Sequence, residues 1–340
     1  MDKPILRFHP DGRFRVLMIS DFHAGARFSP KLTAGIEALL NETSPDLVLI
    51  AGDQCMVRQT EEDLRAYFCE IIAPVLKRGL PWASVFGNHD RETGHDLRLE
   101  EAAYESIPGC LNEPGPEDVS GIGNYCLQIL SSASDDVAFH IWALDSFSET
   151  SDYVRIFGLP ENTRFILPNG FGDGHTNASP MFDQVVWYYN ESLKRERAAE
   201  KKIPAIMYMH IPIQEFCLIE RNPEETGARG TRREEVAGSE LNSGLFMACL
   251  QRGDVKGIFC GHEHLNDFQG EYCGITLAYD GCIGYDMSAH DDLRGGRVID
   301  LREDGTFTTY TVKLMDIMGR AAMRDPDYFE GGCNYHFRML

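Results

Sequence analysis

Apolar and polar positions alternate along this chain in blocks that predict strands and helices in turn. Residues 14–20 (FRVLMIS) form a short apolar run and predict a buried strand that stops at Asp21. Residues 30–42 carry helical spacing, and residues 46–51 (DLVLIA) predict a second buried strand stopping at Gly52-Asp53. Residues 60–78 repeat apolar side chains at Leu64, Phe68, Ile71, Ile72 and Val75, a helical period, before a third strand at residues 81–86 (PWASVF). Later come strands at 123–130 and 137–144, an amphipathic helix at 181–200 with Trp187 and Leu193 on its apolar side, and a strand at 203–209. A helix at 241–252, a strand at 255–260 and further strands near 272–279, 296–301 and 306–313 complete the series. Strands alternating with helices predict an α/β layered fold.

The polar residues that end these runs are of a particular kind. In order they are Asp21-Phe22-His23, Gly52-Asp53, Gly87-Asn88-His89-Asp90, His210 and Gly261-His262-Glu263-His264. Taken singly, an aspartate in such a place caps a helix, Gly-Asn-His-Asp makes a turn, and a lone histidine is a core residue. Five such motifs, each just past the carboxyl end of a strand, point instead to one site, because loops from neighbouring strands converge there in α/β sheets. The mixture of carboxylate, amide and imidazole donors suits Mn, Fe or Zn ions better than calcium or a thiolate-bound structural zinc. Glycines 52, 87 and 261 allow the tight turns that aim the residues after them inward.

Composition narrows the reading further. The 340 residues allow one large α/β domain or two ordinary ones, with 43% hydrophobic and 25% charged residues. Fifty-three acidic against 32 basic residues leave a net charge of −21, which disfavours extended nucleic acid as a partner. A small phosphorylated substrate stays compatible, since bound cations invert the local potential. Ten cysteines without a Cys-x-x-Cys pair suggest reduced thiols. With no signal-peptide-like stretch and no run long enough for a membrane span, a cytoplasmic location is expected. Residues 147–180, with four glycines and three prolines, and residues 213–240, with a charged run at 221–235, break the rhythm and are expected to form a rim shaping the substrate site. Residues 1–315 are expected to form one domain and 316–340 a C-terminal appendage.

The motif series resembles the calcineurin-like metallophosphoesterase superfamily, whose pattern is Asp-x-His, Gly-Asp, Gly-Asn-His-Asp/Glu, His and Gly-His-x-His, here spread over about residues 14–313. Ser243-Gly244-Leu245-Phe246, the stretch from Phe259 through Gly261-His262-Glu263-His264 to Phe268, and Arg294-Gly295-Gly296-Arg297-Val298 are more narrowly similar to its purple-acid-phosphatase-like branch. The resemblance implies a four-layer α/β/β/α sandwich of two mixed sheets flanked by helices. It implies two divalent or mixed-valent metal ions, one held by Asp21, His23, Asp53 and His264, the other by Asp53, Asn88, His210 and His262, with Asp53 bridging. His89 would protonate the leaving oxygen and Asp90 would orient His89. The activity implied is hydrolysis of a phosphate ester, monoesters favoured, by a hydroxide bridging the two metals. A diesterase acting on a cyclic nucleotide or phospholipid headgroup, and a non-catalytic metal-stabilised binding protein, are the alternatives. Met56 stands where purple acid phosphatases carry a metal-binding tyrosine, so a tyrosinate-iron colour is not expected. Gly-Asp-Gln-Cys-Met-Val-Arg likewise departs from the protein Ser/Thr phosphatase pattern. Arg58 and Arg91 are candidates to meet substrate phosphate, with solvated surface charge the other reading.

Overall fold

The computed structural model describes residues 3–25, 27–55, 61–92, 96–163, 177–287 and 289–324. Twelve strands lie among them: β1 (Leu6–Arg7), β2 (Arg13–Ile19), β3 (Leu47–Ala51), β4 (Trp82–Val85), β5 (Tyr125–Leu130), β6 (Val137–Ala143), β7 (Ala205–Tyr208), β8 (Val255–Cys260), β9 (Gln269–Tyr272), β10 (Ile275–Tyr279), β11 (Gly295–Arg302) and β12 (Phe307–Lys313). They form a seven-stranded sheet ordered β1-β5-β6-β7-β8-β10-β9 and a five-stranded sheet ordered β12-β11-β2-β3-β4. Both are mixed: β2, β3 and β4 run parallel while β11 and β12 are antiparallel, and β6, β7, β8 and β10 run parallel beside antiparallel β5 and β9.

Alternation along single strands explains the layering. In β2, Val16 and Met18 enter a core between the two sheets, with Leu49 and Val85 on their side and Ile141, Ile206 and Phe259 opposite. Leu17 and Ile19 face the other way, against Ile36, Leu39, Phe68 and Val75 of the outer helices. On the far side Trp142, Met207 and Ile258 meet Tyr188, Phe216 and Phe246. Two-residue periodicity therefore supplies both faces of each sheet, and the result is the expected α/β/β/α sandwich. Burying each such large apolar side chain is worth ~1.5–3 kcal/mol.

The helix Pro30–Thr43 starts where Ser29 accepts the amide of Lys31 and Pro30 takes the first turn, a position that needs no N–H. The single helix expected over 60–78 is two helices, Glu61–Ile71 and Ala73–Lys77. Pro74 cannot donate to the turn before it and so opens a new helix. The strand expected near 272–279 is a hairpin, β9 and β10, turning at Cys273 and Gly274, both with positive φ. Helices at Thr150–Ile156 and Phe216–Arg221 lie inside the two irregular stretches. The expected boundary at residue 315 falls within packed structure. Leu314 and Ala322 are both buried in the core beneath the helix Pro30–Thr43, and the Tyr285 hydroxyl donates to the Ala322 carbonyl at 2.8 Å. The described structure continues to residue 324, and residues 325–340 lie outside the described residues.

Register decides where the motifs meet. Ile19 is level with Ile50, and Ala51 with Val85, so Asp21, Asp53 and Gly87 leave the five-stranded sheet at one end. Tyr208 is level with Phe259, so His210 and His262 leave the other sheet at the same end. A bridge between Ser20 and Cys282 links the two sheets there. No helix among the described residues is long and apolar enough to cross a membrane.

Candidate metal centre

The turns that carry the expected ligands are locally strained. Asp21 (φ 56°), His23 (φ 45°), Asp53 (φ 53°) and His262 (φ 77°) all occupy the left-handed region, at roughly 1 kcal/mol or more each. Gly52 (φ 94°) has no alternative: a Cβ there would lie 2.5 Å from His210 Nδ1. At Gly87 a Cβ would collide with the Asp53 carboxylate. Neighbouring loops approach too closely to admit a side chain at either glycine.

Asp21, His23 and His264 form one group. Asp21 Oδ1 is 3.7 Å from His23 Nε2 and 3.5 Å from His264 Nε2, and the two Nε2 atoms are 2.8 Å apart. Asp53 Oδ2 lies 3.6 Å from His23 Nε2 and 3.2 Å from His210 Nε2, placing one carboxylate between two sets of imidazoles. His210 Nε2 is also 3.0 Å from Asn88 Oδ1, and its ring packs edge-on against His262, centroids 5.1 Å apart. His210 Nδ1 is held 2.7 Å from the Ala51 carbonyl, which turns Nε2 toward Asp53. Three sets of donor atoms lie within 4.8 Å of one another: Asp21, His23 and His264; Asp21, Asp53 and His210; and His23, Asp53 and His89. The structure thus gathers all seven expected ligands, and it brings His89 to the same cluster.

The carboxylates and imidazoles of the cluster set one another's charge. Burial would raise the carboxyl of Asp53, but His210, followed by His23, holds it down at about 2. Burial likewise disfavours the His210 cation, yet Asp53 and then Asp21 carry it up to about 10. His262 is pushed down to about 3 by burial and by charged His210 beside it. Asp21 Oδ1 is buried with no hydrogen bond of its own, although it faces two imidazole nitrogens. An orphaned carboxylate oxygen among imidazoles, an amide oxygen and a second carboxylate fits divalent first-row ions.

Asp90 is placed otherwise than expected. Its Oδ1 accepts the backbone N–H groups of Gln54 (2.8 Å) and Cys55 (3.1 Å), and its Oδ2 those of Asp53 (2.9 Å) and Gly87 (2.8 Å). It therefore ties the Asp53 loop to the Gly87 loop. The group against His89 is Glu92, whose Oε2 is 2.7 Å from His89 Nδ1 within the short helix Asn88–Glu92. The His89 amide donates to Asp53 Oδ1 at 2.8 Å. The sequence predicts no helix there, and it is the helical turn that brings Glu92 against His89.

Arg91 pairs with the buried carboxylate of Asp145, its guanidinium lying 5.0 Å from the Phe147 ring centroid. Asn177, another residue without a motif, sets Nδ2 3.1 Å from His262 Nε2, at the end of the 147–180 stretch. His290 contacts Arg233. Met56, Arg58, His95 and His175 lie outside the described residues.

A two-sheet sandwich with carboxylates and imidazoles at its strand ends defines a metallophosphoesterase. Residues 14–266 match the Metallophos family, calcineurin-like phosphoesterase, and the chain belongs to that family, whose members generally bind two metal ions. It is 30% identical over 306 residues to "Probable inactive purple acid phosphatase 14" of Arabidopsis thaliana, covering 82% of this chain and 73% of that protein. It is also 26% identical over 284 residues to "Phosphatase DCR2" of Saccharomyces cerevisiae, covering 76% of this chain and 45% of that one. A dimetal phosphatase from Danio rerio has the same fold, with a TM-score of 0.53 at 12% identity over 88% of this chain and 98% of its own.

Proposed function

We propose that this protein hydrolyses a small phosphate ester, a monoester in preference to a diester, at a two-metal centre formed by Asp21, His23, Asp53, Asn88, His210, His262 and His264. The observation that carries this reading is Asp53, whose Oδ2 stands between His23 and His210, the position a carboxylate shared by two cations requires. Two bound cations would supply Lewis acidity toward a phosphoryl oxygen and a nucleophile from water at neutral pH. Around them the chain's own groups have separate tasks. Asp90 holds the amides of the two ligand loops and so keeps Asp53 in place. Glu92 occupies Nδ1 of His89, which leaves Nε2 to deliver a proton to the departing oxygen. Asn177 borders His262 and is positioned to meet substrate.

A second reading, a metal-stabilised binding protein without catalysis, is favoured by the word inactive in the name of the Arabidopsis relative. His89 supports catalysis, since a purely structural metal pair has no use for an added imidazole held by a carboxylate. Manganese-loaded protein assayed on aryl phosphate mono- and diesters separates these readings. Faster monoester turnover that disappears in His89→Ala is expected; faster diester turnover reverses the substrate order, and no turnover of either favours the binding role. The nine cysteines among the described residues are all unpaired, which supports a cytoplasmic location.

A further inference from the structure

Behind Asp21 lies a segment that no motif marked, Asp280-Gly281-Cys282-Ile283-Gly284, leaving the end of β10. Its backbone grips the first ligand loop: Ile283 N–H donates to the Ser20 carbonyl at 3.2 Å and Gly284 N–H to the Asp21 carbonyl at 3.0 Å. The Cys282 thiol points at that same Asp21 carbonyl at 3.4 Å. A side chain at position 284 would run into the Asp21 and Phe22 carbonyls.

The side chains continue the contact. Ser20 Oγ touches Asp21 Oδ2 and lies 2.9 Å from Asp280 Oδ1, and Ser20, Asp21 and Asp280 are all at most 1% exposed. A hydroxyl has a single proton to give. Given to Asp21 Oδ2, which also accepts the His262 amide at 3.1 Å, it leaves the contact with Asp280 to be made by a proton on Asp280. Asp280 Oδ2 has no hydrogen-bond partner among the described residues, a situation a neutral acid tolerates far better than a buried carboxylate. Two donors on Oδ2 leave Asp21 with one oxygen, Oδ1, facing His23 and His264.

We propose that Asp280 is a positioning residue of the metal centre: acting through Ser20, it fixes the Asp21 carboxylate so that Oδ1 alone meets the cation shared with His23 and His264. This rests on the reading of Asp21 as a ligand. Groups that hold a ligand in this way tune affinity without touching the metal.

The test is calorimetric titration of the chelator-stripped full chain with Mn²⁺, alongside the rise in melting temperature that Mn²⁺ produces. Ser20→Ala and Asp280→Ala are each expected to weaken Mn²⁺ binding about 10–100-fold. Asp280→Asn, whose amide still donates to Ser20 Oγ, should stay within about twofold of wild type, and Ser20→Ala/Asp280→Ala should be no weaker than Ser20→Ala. Wild-type affinity in Asp280→Ala, or losses that multiply in the double variant, overturn the proposal. Should Asp280→Ala fail to fold, Ser20→Ala and Asp280→Asn decide: equal losses would make Asp280 a charge rather than a donor and overturn it. A wild type that binds no Mn²⁺ removes the metal-centre reading and this proposal together. A wild type that binds while the variants match it removes this proposal alone.

Discussion

Asp90 and Asp53 are 37 positions apart in the chain, yet the Asp90 carboxylate accepts the Asp53 amide at 2.9 Å while also receiving Gln54, Cys55 and Gly87. Removing it leaves four buried N–H groups without their acceptor. Asp90→Ala is expected to destabilise the protein by ~3 kcal/mol or more, and Asp90→Asn by a similar amount because its NH₂ faces donors. Denaturant unfolding of the metal-free protein measures this; unchanged stability would restore Asp90 to the role of an orienting group for His89.

His89 and Glu92 test the catalytic reading separately from the metals. His89→Ala should lower kcat by about 10²–10⁴-fold and leave Mn²⁺ content unchanged. Glu92→Gln, which still occupies Nδ1 but lacks charge, should lower kcat by about tenfold or less with little effect on KM. Metal loss in His89→Ala would mean that its place beside His23 and Asp53 is that of a ligand.

Asp53 stands between both imidazole sets, whereas Asn88 touches only the His210 side. Asp53→Ala is therefore expected to abolish uptake of both ions. Asn88→Ala should lose one and retain the other. Metal analysis after dialysis reports the stoichiometry directly, and equal occupancy in the two variants would contradict a shared carboxylate.

His140, on β6, is expected to contribute to the acid sensitivity of the fold. Burial, then the charge of Arg195, lowers it from 6.5 to about 3. The unfolded chain therefore binds a proton near pH 6.5 that the folded protein refuses until about pH 3, so stability falls as pH drops through that window. The loss should reach a few kcal/mol at its lower end. His140→Gln should flatten the slope of unfolding free energy between those pH values, and an unaltered slope would show that other groups take up the protons.

The layered fold was legible because its signals are local. The run FRVLMIS buries Val16 and Met18 on one face and Leu17 and Ile19 on the other, so four successive residues had to be apolar. The break at Pro74 and the turn at Cys273 and Gly274 were also written in the sequence, as an imino acid and a glycine, but continuous apolar spacing hid them. Packing of Leu314 and Ala322 under the helix Pro30–Thr43 left no such trace.

For the site, the sequence by itself determined the candidate donors and their places at strand ends, because an apolar run that stops at Gly-Asp or Gly-His points to a turn. Tertiary structure alone decided which donors face each other. Parallel register set Asp53 level with the Asp21 and Gly87 loops, and the seam between the sheets brought His210 and His264 across to them. The partners of Asp90, Glu92, Asn177 and Asp280 belong to the same class of information. Each depends on a hydrogen bond a few ångströms long, and such distances are set by how loops pack rather than by what any one loop contains.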